Sequence, residues 1–471
     1  MTWLTAFKDK NIVVLGAGLT GLSCLRFLHA QGLSFAVNDS RAMPFVDAEE
    51  KSQYQHDFPN TEFVFGQWHD SLIASADIII ASPGIDLSGE GITRLIAKHC
   101  RVIGDIELFC LVNNSREKPM ELLAVTGSNG KSTVVSLLAY LAQMLGKHAA
   151  LAGNIGAPIL ELLQHELDDS NHETKQVDTV IVELSSFQLE TLTSMKAIAA
   201  SVLNLSDDHL DRHKTLANYQ AIKQSIYPQA AIAVVNREDQ KTVSLDKNQA
   251  VISFGLNKPE AGHFGLAVVS NKPMLMFGEQ GLISIDELPL AGMHNALNYM
   301  AALALGYSAG WPLATMTENL VGFTGLAHRC QRVTSTDGIQ WINDSKATNV
   351  GATLAAISGL APTLAKHNQL ILIAGGDGKG ADFSALKGVL NRDVNLLITL
   401  GKDGNEIAGL VTNAIQVKNL IDAVHQARKV AKAGDMVLLS PACASIDMFK
   451  NYMVRGEQFI AAAQAGEDSC R

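Results

Sequence analysis

The sequence predicts an α/β protein of three domains, each a mostly parallel sheet covered by helices, and three observations carry that prediction. Short β-branched runs alternate with longer helical patterns along the chain, as parallel sheets flanked by helices require. Three strands run straight into a glycine-rich turn and a helix: residues 11–15 into 16–21, residues 121–125 into 126–133, and residues 369–374 into 375–380. At 471 residues the chain exceeds what one hydrophobic core sustains and suits about three domains. The polar stretch 113–119 reads as a linker, and a second break falls near Gly325, after the helical segment 293–307. The predicted domains are 1–112, Rossmann-like; 113–325, built on a P-loop-type strand–turn–helix; and 326–471, Rossmann-like again.

Composition narrows the function classes. A hydrophobic fraction of 47% and a charged fraction of 18% are ordinary for a globular protein. A net charge of −10 argues against a nucleic-acid or anionic-membrane surface as the main partner. Anionic ligands must then be held by helix N-termini and single cations. Six cysteines without a C-x-x-C pair suit a reducing cytosol. Lys8, Asp9 and Lys10 stand where a signal peptide would need apolar residues. The apolar segment 288–311 is broken by His294, Asn295 and Asn298, so a membrane span is not expected. The reading is a cytoplasmic protein.

Gly16, Gly18 and Gly21 match G-x-G-x-x-G after the first strand, and Asp39 follows a second strand at 33–38. The glycines allow a tight turn and close approach of a phosphate to a helix N-terminus, and the acid can take a ribose hydroxyl. Alone the motif fits a nicotinamide-dependent oxidoreductase, or bare strand–helix packing. Arg41 could meet a phosphate or stand solvated.

The second turn carries more. Gly127, Ser128, Asn129, Gly130, Lys131, Ser132 and Thr133 lie between an apolar strand and a helix over 134–145. Such a loop aims backbone N–H groups at phosphate oxygens, with Lys131 as a point charge and Ser132 or Thr133 as a Mg²⁺ ligand. Val125 stands where the usual P-loop has its first glycine, so the loop is a shorter variant.

The run 179–182 ends in Glu183, and the strand 199–205 opens into Asp207, Asp208, His209 and His213. Acids at the carboxyl ends of parallel strands sit where these sheets bind ligands, and Glu183 suits magnesium. Its competing reading is a cap for the next helix. Lys223 falls at helical spacing between Tyr219 and Tyr227; such a lysine ordinarily sends its ammonium to water. In the last third, Lys346, Lys379 and the first-turn hydroxyl of Ser445 could together receive a carboxylate-bearing substrate; singly, each reads as a loop residue or helix cap.

Together these segments resemble the Mur ligase family, which builds the peptidoglycan stem peptide and shares its fold with folylpolyglutamate synthases. The resemblance is carried by VVLGAGLTGLSC, TGSNGKST, AGNIG, VELSSFQLE, DDHLDRH, GMHNALN, NDSKATN, GGDGKGADF and SPACASIDMFKNYMVRGEQF, in order along nearly the whole chain. The opening and closing segments look like the branch that adds D-glutamate to UDP-N-acetylmuramoyl-L-alanine. The resemblance implies a UDP-sugar, not a dinucleotide, on the first domain, held by Leu19, Thr20, Asp39, Arg41, Ser82, Pro83 and Gly84. Asn154, Ser185 and Gln188 would meet the sugar-peptide. It implies ATP on residues 127–133 with Asn295, Asn298, Arg329 and Asp344, and two Mg²⁺ on Ser132, Glu183, His209 and a CO₂-derived carbamate of Lys223. Lys131, Glu183, His209 and Lys223 would be catalytic. D-glutamate would meet Lys346, Thr348, Lys379, Ser445 and Tyr452, the last where the family more familiarly shows Phe. An acyl-phosphate route, a monomer, and a part in cell-wall biogenesis, cell shape and division follow from the same resemblance. Another amide ligase of this fold, an oxidoreductase and a non-catalytic nucleotide binder stay open as alternatives.

Overall fold

The computed structural model describes residues 2–167, 176–243, 246–290 and 292–465. Five parallel strands form the first sheet, in the order Glu62–Phe65, Ala36–Asp39, Ile12–Leu15, Ile78–Ala81, Arg101–Ile103. Ile12–Leu15 and Ile78–Ala81 are buried at every residue, which is why they read as unbroken apolar runs instead of alternating ones. The sheet order reverses at Ile12–Leu15, so the glycine turn that follows faces the crevice at the switch point.

The second sheet has six parallel strands, in the order Ala250–Phe254, Ala230–Asn236, Ala197–Val202, Glu121–Thr126, Thr179–Glu183, Ala149–Gly153. Glu121–Thr126 lies between Ala197–Val202 and Thr179–Glu183. The phosphate-type loop, Glu183 and the Asp207–His213 segment therefore leave one sheet edge side by side. Helix Lys131–Met144 and helix Met293–Ser308 pack on each other and share a core with Leu123, Ile181 and Val234. The third sheet runs Gln331–Val333, Gln340–Asn343, Met436–Leu439, Leu370–Gly375, Leu396–Leu400, Ala414–Gln416, with the first strand antiparallel.

Several expectations shift. The helix over 134–145 begins at Lys131, so the lysine is its first residue and not part of the turn. The strand placed at 33–38 is Ala36–Asp39, and Asp39 ends it. At Ser445 there is a single turn and no helix: Met448 and Phe449 donate back to the Ser445 carbonyl at 3.1 and 2.8 Å, but the turn does not propagate, and the next helix starts only at Tyr452. A three-stranded antiparallel sheet, Phe264–Val269, Lys272–Phe277 and Gln280–Ser284, interrupts the parallel pattern. Its first hairpin turns on Ser270 and Asn271, both at positive φ, the geometry of a two-residue turn that Asn-Gly signals more plainly. Among the described residues no helix is long and apolar enough to cross a membrane.

The first two sheets share one apolar core. Val14, Val37 and Ile80 belong to the same buried cluster as Leu122, Val180 and Ala200, joined through helix Asp105–Asn113. Glu107 on that helix is buried. It accepts the backbone N–H groups of Thr193 and Ser194 at 2.8 and 2.9 Å, the Thr193 hydroxyl at 3.0 Å and the Arg101 guanidinium at 3.1 Å. Removing the carboxylate strands two backbone donors. Glu107→Ala should therefore cost about 2–4 kcal/mol in chemical denaturation, and an unchanged midpoint would show that this clamp holds nothing.

Candidate active site

Two crevices open at the switch-point edges. The first, of about 620 Å³, is lined by Leu19, Thr20, Arg41 and residues 82–85 from the first domain and by Asn154 and Gln188 from the second. Gly21 sits so close to the Gly16 carbonyl that any Cβ would collide with it, which fixes the helix against the turn. Asp39 spends both oxygens inside the protein. They accept the Ala17 N–H at 2.8 Å, the Arg41 N–H at 2.9 Å and the Arg41 guanidinium at 2.6 and 3.0 Å. Burial raises its pKa, but these donors outweigh it and hold the carboxyl below the ordinary range. Arg41, exposed over 57% of its side chain, is thus the cation turned to this crevice. Ser185 is apart from the lining: it caps helix Ser186–Leu189 in a reciprocal pair with Gln188.

The second crevice, about 370 Å³, joins the central and third domains. Asn129, Gly130 and Thr133 line it from the loop, Asn295 and Asn298 from helix Met293–Ser308, and Arg329, Asp344 and Lys346 from the third domain. Gly130 has φ +84°, and a Cβ there would stand 2.5 Å from Asn298 Oδ1; only glycine serves. Lys131 Nζ folds back onto the Gly127 and Ser128 carbonyls at 2.6 and 2.9 Å. Arg329 reaches across the domains to donate to Ser132 Oγ at 2.7 Å. Burial lowers the pKa of both cations. Burial pushes the Asp344 carboxyl up to about 6, although it accepts from the Ser440 hydroxyl and the Cys330 N–H at 2.8 and 3.1 Å.

Beside the loop, Glu183 Oε1 accepts from Asn154 Nδ2 at 2.7 Å. Its other oxygen, Oε2, is buried without a hydrogen-bond partner among the described residues. An orphaned carboxylate oxygen of this kind fits a cation. Lys223 is buried too, so its ammonium does not reach water. Its Nζ donates to Thr126 Oγ1 at 3.1 Å and stands 4.8 Å from the Tyr219 ring centre. Burial first, and Lys131 second, hold its pKa well below the ordinary lysine value. His209 has φ +52° and stacks edge-on to Phe187 at 4.9 Å; burial also lowers its pKa. Among the described residues no three His, Cys, Asp or Glu side chains gather as a metal set, so a metal here would need a further anionic ligand beside Glu183 and His209.

The third domain turns its polar loops to the same edge. Lys346 Nζ lies 4.0 Å from the Tyr452 ring centre, and burial, with Arg329 and Lys131 nearby, brings its pKa to about 8. Thr348 follows in the same turn, its N–H on the Lys346 carbonyl at 2.8 Å. Lys379, at φ +53°, is close enough for its charge to act on His209. Ser445 is buried. The sequence reading missed Asn204, Asn236, Glu238 and Asp239 on the nucleotide-type crevice, because strand-end polar residues carry no motif. It also missed Arg455, quoted within a segment but given no role. That guanidinium is buried and bonds the Ser345 hydroxyl and carbonyl and the Cys443 carbonyl, so it ties the loop of Lys346 to the turn of Ser445.

Comparison with known proteins agrees along the chain. Residues 10–104 match the Mur ligase MurD-like N-terminal domain, 125–306 the Mur ligase middle domain, and 328–443 the Mur ligase glutamate ligase domain. The chain is 76% identical over 471 residues, all of both chains, to a UDP-N-acetylmuramoylalanine–D-glutamate ligase of Colwellia psychrerythraea. It is 42% identical to the ligase of that name from Pseudomonas putida, covering 97% of this chain and 98% of the other. Among solved structures it resembles MurF of Acinetobacter baumannii, with a TM-score of 0.61 at 14% identity over 98% of each chain. It likewise resembles the UDP-N-acetylmuramate–alanine ligase of Thermotoga maritima, with a TM-score of 0.57 at 18% identity over 96% and 98%. At those identities the two structures speak for the fold alone.

Gly130→Ala tests the phosphate-type loop. Left-handed strain on a non-glycine residue should cost about 1–3 kcal/mol, and the crowding of Asn298 should weaken ATP binding in calorimetry. Wild-type affinity in the variant would remove this loop from the nucleotide site.

Proposed function

The chain belongs to the Mur ligase family, and we propose that within it this protein joins D-glutamate to UDP-N-acetylmuramoyl-L-alanine at the expense of ATP. The observation that carries the reading is the 76% identity, end to end, with a ligase named for that reaction. The nicotinamide alternative is not favoured, since the matches cover all three domains and the glycine turn belongs to a MurD-like N-terminal domain. The enzyme acts in the cytoplasm, as a monomer, and supplies peptidoglycan precursor to the cell wall on which shape and division depend.

In this reading the first crevice receives the UDP-sugar, with Leu19, Thr20, Asp39, Arg41, Ser82, Pro83 and Gly84 around uridine and diphosphate. Arg41 is the cation available there; Asp39 acts by holding it and the glycine turn. Asn154 and Gln188 meet the sugar-peptide, and Ser185 acts there by holding Gln188. ATP lies along residues 127–133 with Asn295, Asn298, Arg329 and Asp344. The L-alanyl carboxylate attacks the γ-phosphorus and ADP leaves. The D-glutamate amine then attacks the acyl-phosphate carbonyl, the C–N bond forms and phosphate departs. Lys131 leaves the two loop carbonyls to meet the phosphates, and Lys346, Thr348, Lys379, Ser445 and Tyr452 receive the glutamate. Two Mg²⁺, held by Ser132, Glu183, His209 and a carbamate on Lys223, would offset the repulsion of the converging anions. The third domain, seated over the loop, keeps water from the acyl phosphate.

The buried position of Lys223 supports the carbamate. Carbamylation needs the neutral amine, and burial beside Lys131 favours that form. The carbamate would be the further anionic ligand, near enough to Glu183 for that charge to act on Lys223.

Two experiments test this reading. Phosphate release should require UDP-N-acetylmuramoyl-L-alanine together with D-glutamate, and L-glutamate should fail because fixed cations cannot place both of its carboxylates and its amine; equal rates with both hands would refute the assignment. Lys223→Ala should fold and be inactive, then regain part of its activity in formate or acetate. A fully active variant, or one that no small carboxylate restores, counts against the carbamate.

A further inference from the structure

Asn349 stands at the seam between the third domain and the two loops of the central sheet edge, and each end of its amide does a different job. It is the N-cap of helix Val350–Leu360, and its Oδ1 accepts the Ala352 N–H at 2.9 Å. Its Nδ2 reaches out of the domain. It donates to Asn129 Oδ1 of the phosphate loop at 3.3 Å and to Asp208 Oδ2 at 3.4 Å. Both acceptors are held by their own surroundings. The Asn129 backbone is locked to the Asn204 side chain by reciprocal bonds of 2.8 and 3.0 Å, and Asp208 Oδ1 lies 3.7 Å from the His209 ring nitrogen. The helix start is pressed onto the same seam, because a Cβ on Gly351 would come within 2.8 Å of Ser206 Oγ.

We propose that Asn349 is a positioning residue: its Nδ2 is the gauge by which the third domain seats only when the phosphate loop and the Asp208–His209 loop are set together. The turn carrying Lys346 and Thr348 immediately precedes it in the chain, so the seating of Asn349 fixes where the amino acid is presented. This rests on the ligase reading given above. A donor shared by two acceptors on separate loops rewards one relative placement of those loops. The cap, in contrast, is internal to the helix and is indifferent to domain position.

The two jobs separate by substitution. Asn349→Ser keeps a good cap and removes the reaching donor. Asn349→Asp also keeps the cap but turns a carboxylate toward Asp208. The expected result is an unchanged melting temperature for the serine variant and a Michaelis constant for D-glutamate raised roughly three- to tenfold. The constant for the UDP-sugar substrate, which is held by the other two domains, should not move. The aspartate variant should lose on the order of tenfold or more in the same parameter through like-charge repulsion. In solution X-ray scattering it should stay more extended than wild type when given the β,γ-imido analogue of ATP and Mg²⁺. Wild-type constants in both variants would overturn the proposal. So would a lowered melting temperature in the serine variant with all substrates affected alike, since that marks a purely structural cap. Should the aspartate variant fail to fold, the serine variant decides the matter alone. If wild-type enzyme releases no phosphate with these substrates, the ligase reading fails, while the scattering comparison still judges Asn349.

Discussion

The cost of drawing four cations away from water shapes the central crevice. Lys131, Lys223, Arg329 and Lys346 come from two domains and four chain segments, and burial lowers the pKa of each. Lys131 in addition depresses Lys223 and Lys346. Glu183 and Asp208 offset part of this cost, and further anions would offset more. The protein tolerates it by folding Lys131 onto two carbonyls and letting Lys346 rest on the Tyr452 ring. Each of these is a weaker partner than a phosphate or carboxylate would be. Burial first, and Lys131 second, favour the uncharged form of Lys223.

Geometry brings these charges together through sheet edges. Parallel strands release their loops on one side, so neighbours in the sheet become neighbours in the site even when far apart in sequence. Glu121–Thr126, Thr179–Glu183 and Ala197–Val202 are adjacent strands; Glu183 ends the second, and Lys131 and His209 follow the first and third by a few residues. The third sheet repeats the principle, with Arg455 joining two of its strand-end turns.

Much of this was legible from the chain, for physical reasons. Strands buried on both faces read as continuous β-branched runs, and glycine turns that need positive φ can be filled by little else; Gly127 and Gly130 show both the motif and its cause. What was not legible involves long-range context. Lys223 looks like a lysine free to reach water until Tyr219 and the strand residue Thr126 close over it. Asp39 looks like a ligand for a ribose until Arg41 and Ala17 are seen to occupy its oxygens. The hairpin at Ser270 and Asn271 lacked glycine, and the turn at Ser445 closes one helix-like turn but does not continue into a helix.

The division of the apolar core has a consequence for how this architecture diversifies. The first two sheets share one cluster, whereas the third domain is built around two clusters of its own residues. Across the seam to the central domain run contacts such as Arg329 to Ser132 and Asn349 to Asn129. A domain with a private core can drift in sequence, or be exchanged, without disturbing the fold of its neighbour. If, as proposed, the third domain receives the incoming amine, its choice is uncoupled from the machinery that activates the carboxylate, and a new acceptor specificity can arise by remodelling one interchangeable module.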